Sequence, residues 1–171
     1  YYPVKVLGPG CRVGIWLNGC RKNCPGCISP EMQQYDPTKE VAVNDIISMV
    51  SRIEKPIDGF TISGGEPFYN PKALNALVVG LSPVNDDILI FTGYTLAELK
   101  EQENTEINSI IETCAAIIDG PYIRELHDGT GLKGSSNQHC WIFKHQDRYA
   151  GIEKERRSIQ NIMYDKGILA I

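Results

Sequence analysis

Four short apolar runs, each ending at a glycine-bearing turn and separated by segments of helical length, limit the folds open to this chain more than any other feature. Arg12 to Leu17 reads as a buried strand leading into Asn18-Gly19-Cys20. Asp58 to Ser63 is a second strand, ending at Gly64-Gly65, and Asp87 to Thr92 a third, ending at Gly93. Ala115 to Ile118 is a fourth, ending in Asp119-Gly120-Pro121. Between the first two, Val43 to Ile53 places Val43, Ile46, Ile47, Val50 and Ile53 on one helical face. Pro71, acceptable in a first turn, opens a helix through Leu81. Thr95, with Glu98 three residues on, has the pattern of a capping box, and that helical region runs to about Thr113 with a break near Asn104-Thr105. A β–α–β–α–β–α–β rhythm of this kind implies a parallel sheet with right-handed crossovers, open or curled into a partial barrel.

Ligands of parallel α/β sheets gather at the carboxyl edge of the strands. Residues 20–27, 64–66, 92–94 and 119–121 each follow a predicted strand, so four candidate segments are expected on one edge. The stretch after Asp119 is rich in turn signals, Asp128-Gly129-Thr130-Gly131 and Gly134-Ser135-Ser136 among them. His139 to Lys144 and Gly167 to Ile171 are candidate late strands, and the charges from Glu153 to Arg157 read as a solvated face or loop. With 171 residues, no repeat and no linker, residues 1–171 are expected to form one domain, 138–171 being a candidate C-terminal extension.

Six cysteines can make a disulfide framework or hold metal. Three of them, Cys20, Cys24 and Cys27, fall within eight residues, whereas Cys11, Cys114 and Cys140 are scattered. Disulfide frameworks spread their bridges to close long loops and serve chains too small for a core, so the clustering favours metal. Thiolates suit zinc or iron–sulfur clusters. A structural zinc site wants four ligands, commonly in paired knuckles, and no second knuckle follows here. Three thiolates on a four-iron cluster leave one iron open to a ligand. The scattered cysteines read as small buried hydrophobes. A net charge of −4 and a pI near 5.4 argue against a dedicated nucleic-acid binder. No apolar run approaches the ~20 residues of a bilayer span. Tyr1-Tyr2-Pro3 has no basic start or apolar core of a secretory signal, and the missing initiator Met leaves room for preceding residues. A cytoplasmic protein is expected.

Cys20-Arg21-Lys22-Asn23-Cys24-Pro25-Gly26-Cys27 has the C-x3-C-x2-C spacing, and Gly64-Gly65-Glu66-Pro67 follows it at the end of the next strand. Taken together and in this order, the two motifs resemble the radical S-adenosylmethionine superfamily. Read alone, Gly64-Gly65-Glu66-Pro67 is a plain strand-to-helix turn; with a ligand, two glycines would admit close backbone approach and Glu66 a charge-assisted bond. Tyr1-Tyr2-Pro3-Val4, Gly8-Pro9-Gly10, Asn18-Gly19-Cys20, Thr92-Gly93-Tyr94, Asp119-Gly120-Pro121 and Gly134-Ser135-Ser136-Asn137-Gln138 further resemble the activating proteins of anaerobic ribonucleotide reductases. Gly26 lies where many superfamily members place an aromatic, and those activators share the glycine.

The resemblance implies an α/β fold whose parallel sheet forms a reduced, partial (β/α) barrel of the radical S-adenosylmethionine type. It implies a [4Fe–4S] cluster on Cys20, Cys24 and Cys27, with S-adenosyl-L-methionine on the open iron and its methionyl ammonium held by Gly64, Gly65 and Glu66. Thr92 and Asp119 are candidate cofactor contacts from strand-end position and motif match, Asp119 being equally a turn or capping residue. Asn137 and Ser135 are candidates for the cofactor or an incoming glycyl loop, or else part of a polar turn. The implied partners are a glycyl radical enzyme, here an anaerobic ribonucleotide reductase, and a flavodoxin- or ferredoxin-like electron donor. Three other classes share parts of this pattern. They are a radical enzyme acting on a peptide, small molecule or different glycyl radical enzyme, an iron–sulfur redox or sensor protein, and a zinc-stabilised binding module.

Overall fold

The computed structural model describes residues 1–154, 161–164 and 167–170. Its main sheet has five strands in sequential order: β1 (Arg12–Leu17), β2 (Gly59–Gly64), β3 (Ile88–Phe91), β4 (Ala116–Asp119) and β5 (His139–Ile142). The first four are parallel, and the sheet is open, with β1 and β5 at its ends. β5 instead runs antiparallel to β4, pairing Asp119 with His139. The expectation of an all-parallel sheet is corrected on this strand. A parallel neighbour needs a long crossover, usually a helix, but the described chain between β4 and β5 holds only a single turn of 3-10 helix, Arg124–Leu126. β6 (Asn161–Tyr164) and β7 (Gly167–Ala170) pair antiparallel in a two-stranded sheet. Positions 155–157 of the predicted charge run, and Ile171, lie outside the described residues; Glu153 is described, and accepts a hydrogen bond from Cys140 N at 2.9 Å.

Four helices cover one face of the sheet: α1 (Val43–Ser51), α2 (Pro71–Leu81), α3 (Leu96–Glu101) and α4 (Thr105–Thr113). α2 begins at Pro71, whose preset φ suits the first turn as its sequence predicts, and the structure adds a cap, Asn70 accepting from Ala73 N. Leu74, Leu77, Val78 and Leu81 line its buried stripe, each contributing roughly 1.5–3 kcal/mol of burial free energy. They meet Phe60, Ile62, Ile88, Ile90 and Ile117, the alternate residues of the central strands. The capping box of Thr95 and Glu98 is present. The predicted break after it is real: Glu103 turns left-handed at φ 48°, and Asn104 caps a new helix by accepting from Ile107 N at 2.9 Å. α1 stops at Ser51, two residues short of expectation, yet Ile53 still packs on the core with Val43, Ile46 and Ile47.

The opposite face carries Leu89, Ala116 and Ile118, covered by Leu132, Tyr149 and Ile152. Here, at the amino edge of the strands, Arg12 has no exposed surface. Its Nε donates to Thr61 Oγ1 at 2.8 Å, and Nη2 donates to Phe60 O at 2.6 Å and Asp87 O at 2.9 Å. Nη2 also pairs with the buried Asp87 carboxylate at 3.1 Å, which accepts from Tyr149 as well. Arg148 Nη1 lies 2.7 Å from Asp87 Oδ2 as an ion pair without hydrogen-bond alignment. Breaking a buried pair on one side leaves an uncompensated charge, costing about 3–5 kcal/mol. Asp87→Ala is therefore expected to lower unfolding stability by about that amount in urea titration. A loss under about 1 kcal/mol would mean that the surrounding carbonyls alone satisfy Arg12.

Candidate functional site

The site is built by continuing the β1–β2 pairing beyond the strands. Leu17 stands opposite Gly64 in register. Past that point Gly65 N donates to Leu17 O at 2.7 Å and Glu66 N to Gly19 O at 2.8 Å. The cysteine loop is tied down on its other side, where Gly19 N donates to Met32 O and Cys20 N to Gln33 O, both at 2.8 Å. Gly64 has φ +106°, and a Cβ there would fall 2.3 Å from Leu17 O; one on Gly65 would fall 2.4 Å from Gly19 O. The glycines are thus required by the neighbouring backbone, before any ligand is considered. Farther along the loop, Cys27 N donates to Cys24 O at 3.1 Å, with Pro25 second and Gly26 third at φ +75°. That is the sequence and geometry of a type II turn, and it returns Cys27 beside Cys24.

Cys20, Cys24, Cys27, Gly64, Gly65, Glu66 and Thr92 all line one open cavity of ≈ 560 Å³ at the carboxyl edge of the sheet. The thiols are free, as are Cys11, Cys114 and Cys140, so no disulfide framework exists. Among the described residues no three thiol, imidazole or carboxylate groups converge on a single metal ion. Three thiols in one loop, spaced along a cavity wall, fit a cluster that takes one thiolate per iron. Burial pushes the Cys20 thiol up in pKa, against the Lys22 N–H that donates to its Sγ at 3.4 Å. Cys114 is fully buried at the end of α4, and burial carries its thiol to about 12, as it does that of half-buried Cys140. Burial thus disfavours the thiolate at both positions.

Glu66 is the electrostatic centre of the cavity wall. It is buried, and burial raises its pKa. Three donors hold its carboxylate: Phe68 N at 3.0 Å and Thr92 Oγ1 at 2.7 Å on Oε1, and Gly93 N at 2.8 Å on Oε2. Thr92 thus acts on Glu66, and its hydroxyl also accepts from Tyr94 N at 3.1 Å.

Asp119 and Asn137 are not on the cavity wall. Asp119 is buried; Oδ2 accepts from Leu96 N at 2.6 Å, tying the end of β4 to the start of α3, and Oδ1 accepts from His139 N at 3.3 Å. Asn137 Nδ2 donates to Pro121 O at 2.8 Å, while its Oδ1 is buried without a hydrogen-bond partner. Ser135 is buried and accepts from Ile123 N at 3.1 Å. Gln138 is the member of this segment that reaches the cavity. It donates to Gly120 O at 2.8 Å and accepts from Gly134 N and Ser135 N. The turn signals locate this segment in the sequence, but nothing local marks Gln138 over Asn137. Lys22, Tyr122 and His127 also line the cavity without any sequence signal beyond their neighbourhood.

The family model for a 4Fe-4S single cluster domain matches residues 6–141. The chain is similar to a protein of Enterobacteria phage T4, 30% identical over 150 residues covering 82% of this chain and 92% of the relative. It is 32% identical over 148 residues to a protein of Salmonella typhi, covering 81% of this chain and 93% of the relative. A protein of Escherichia coli (strain K12) is 29% identical over 147 residues, with coverage of 81% and 93%. All three are named anaerobic ribonucleoside-triphosphate reductase-activating protein. No solved structure matches the chain. With the cysteine loop and the glycine pair inside the matched segment, the chain belongs to the 4Fe-4S single cluster domain family and to the family of anaerobic ribonucleoside-triphosphate reductase-activating proteins.

Proposed function

We propose that this chain is a radical S-adenosylmethionine activase, using a [4Fe–4S] cluster to generate a glycyl radical on a partner anaerobic ribonucleotide reductase. The observation that carries this reading is the single cavity wall shared by three free thiols and by Gly64, Gly65 and Glu66. The names of the relatives support the choice of partner. Sequential strand order with all four helices packed on one face supports reading the sheet as a reduced, partial (β/α) barrel. Residues 1–171 are read as one domain. A flavodoxin- or ferredoxin-like donor and a cytoplasmic setting complete the reading; among the described residues no helix is long and apolar enough to cross a membrane.

In this reading Cys20, Cys24 and Cys27 each bind one iron. When bound, the cluster and S-adenosylmethionine would supply one-electron reductive cleavage and hydrogen-atom abstraction, directed at a glycine of the partner. Gly64 and Gly65 keep the end of β2 flat against the cysteine loop, so Glu66 faces the cavity close to the thiols. Glu66 Oε2 accepts one hydrogen bond and keeps lone-pair capacity for the methionyl ammonium. Thr92 fixes the carboxylate's rotation from behind, as a positioning residue. Asp119 contributes at a distance, by holding α3 to β4. Asn137 stands off the cavity wall with its Nδ2 on Pro121 O, so its reading as a contact of the cofactor or of an incoming glycyl loop rests on the motif resemblance alone.

The first test is anaerobic reconstitution followed by dithionite, S-adenosylmethionine and chromatography for 5′-deoxyadenosine. The intact chain is expected to form it, Cys24→Ala to lose both cluster and product, and Glu66→Ala to keep the cluster while losing cofactor binding. A full cluster whose EPR spectrum ignores S-adenosylmethionine would sink the proposal. A finer test addresses Thr92. Hydrogen bonds to a charged group contribute about 1.5–3 kcal/mol, so Thr92→Val is expected to weaken S-adenosylmethionine binding by roughly tenfold or more at unchanged iron content. Equal affinity in the two proteins would show that Thr92 does not act through Glu66.

A further inference from the structure

We infer that Lys22 is a positioning residue that latches the cysteine loop onto the turn after β3 and holds a positive charge beside the cluster site. The inference rests on the cluster reading above and concerns a residue that lies between two of its ligands, Cys20 and Cys24. The Lys22 side chain is 22% exposed, and it leaves the loop across the cavity instead of into solvent. Its Nζ stands 3.8 Å from the centroid of the Tyr94 ring and 3.8 Å from Glu98 Oε1. Its stem covers the open face of Gly93, where an added Cβ would meet Lys22 Cγ at 3.4 Å. Its backbone N–H points at Cys20 Sγ.

These contacts have a consequence that a freely solvated lysine would not have. β1 and β3 are not neighbours in the sheet, because β2 lies between them. The cysteine loop after β1 is bonded to the Gly64–Glu66 segment after β2, and that segment to Thr92 and Gly93 after β3. Lys22 closes this circuit directly, joining the loop to the start of α3 through an aromatic face and a carboxylate. A cation on a partly desolvated wall also contributes to the field at an anionic thiolate cluster, and cluster potentials respond to local charge, hydrogen bonds to sulfur and exposure. Glu98, the carboxylate that Lys22 pairs with, is half exposed and screened by solvent, while Glu66 is a second carboxylate on the same wall. An extra electron in the site is therefore easier to accommodate with Lys22 in place.

Three variants separate the two halves of the inference. Lys22→Met keeps an unbranched stem and removes the charge, Lys22→Arg keeps the charge, and Tyr94→Leu removes the aromatic face while leaving every charge. Reduction potential is read by EPR-monitored titration of the reconstituted holoprotein. Amide hydrogen exchange over residues 20–27 is read on the cluster-free chain. Lys22→Met is expected to lower the potential and to speed loop exchange roughly two- to tenfold, the factor that loss of such a contact corresponds to. Lys22→Arg should match the wild type in potential, and Tyr94→Leu should speed exchange with the smaller change in potential. Unchanged exchange in both Lys22→Met and Tyr94→Leu overturns the latch. An unchanged potential in Lys22→Met with a full complement of iron overturns the charge role. Failure of the wild type to assemble a four-iron cluster would instead fall on the functional reading, and exchange on the cluster-free chain would still decide the latch.

Discussion

The site depends on one backbone pairing, that of β1 with β2. Their parallel register sets Leu17 beside Gly64, and two further bonds carry the pairing on to Gly19 and Glu66. The cysteine loop and the Gly64-Gly65-Glu66 segment are consequently one continuous surface, although α1 lies between them in sequence. Such closeness of two chains leaves no volume for side chains, which is why both positions are glycine. A motif expected to serve a ligand is first of all a packing solution. The place of Glu66 on the cavity wall follows from it, since the two residues before it lie flat against the cysteine loop.

Two buried charges of opposite sign fasten the two ends of the same sheet. At the carboxyl edge, Glu66 collects donors from its own turn and from Thr92 and Gly93, joining β2 to β3. At the amino edge, Arg12 collects acceptors from β2 and from Asp87, just before β3, with Tyr149 and Arg148 behind them. Each charge costs desolvation free energy, and each is surrounded by enough hydrogen bonds to offset it. The result at the carboxyl edge is a carboxylate on the cavity wall whose orientation is set by three donors of the fold itself.

The segment after β4 lines the cavity with loop residues and a single turn of 3-10 helix. Several of its backbone groups are held by its own side chains: Gln138 bridges Gly120 to Gly134 and Ser135, Ser135 receives Ile123 N, and Asn137 donates to Pro121 O. This explains how a loop rich in glycine and serine serves as a defined wall. It also explains why β5 returns antiparallel, since the loop reverses the chain beside β4 with no crossover helix.

Much of this molecule is legible in the sequence, and the legible parts share a physical character. The bounds of α2, the capping box at Thr95 and Glu98 and the break at Asn104 all arise between residues a few positions apart. The gathering of strand-end segments at one edge is legible too, because it follows from the handedness and direction of β–α–β units. Other features depend on partners far along the chain. Arg12 reads as the start of an apolar strand, yet it is buried against Asp87 and Tyr149. Asp119 stands at the right strand end for a ligand, but its carboxylate is taken by Leu96 and His139. The sequence by itself determined which residue types and turns the chain brings to the edge of its sheet, through periodicity, capping and backbone sterics. Only the tertiary structure decided which of those side chains face the cavity, because a polar group's direction is set by the donors and acceptors that packing brings within reach.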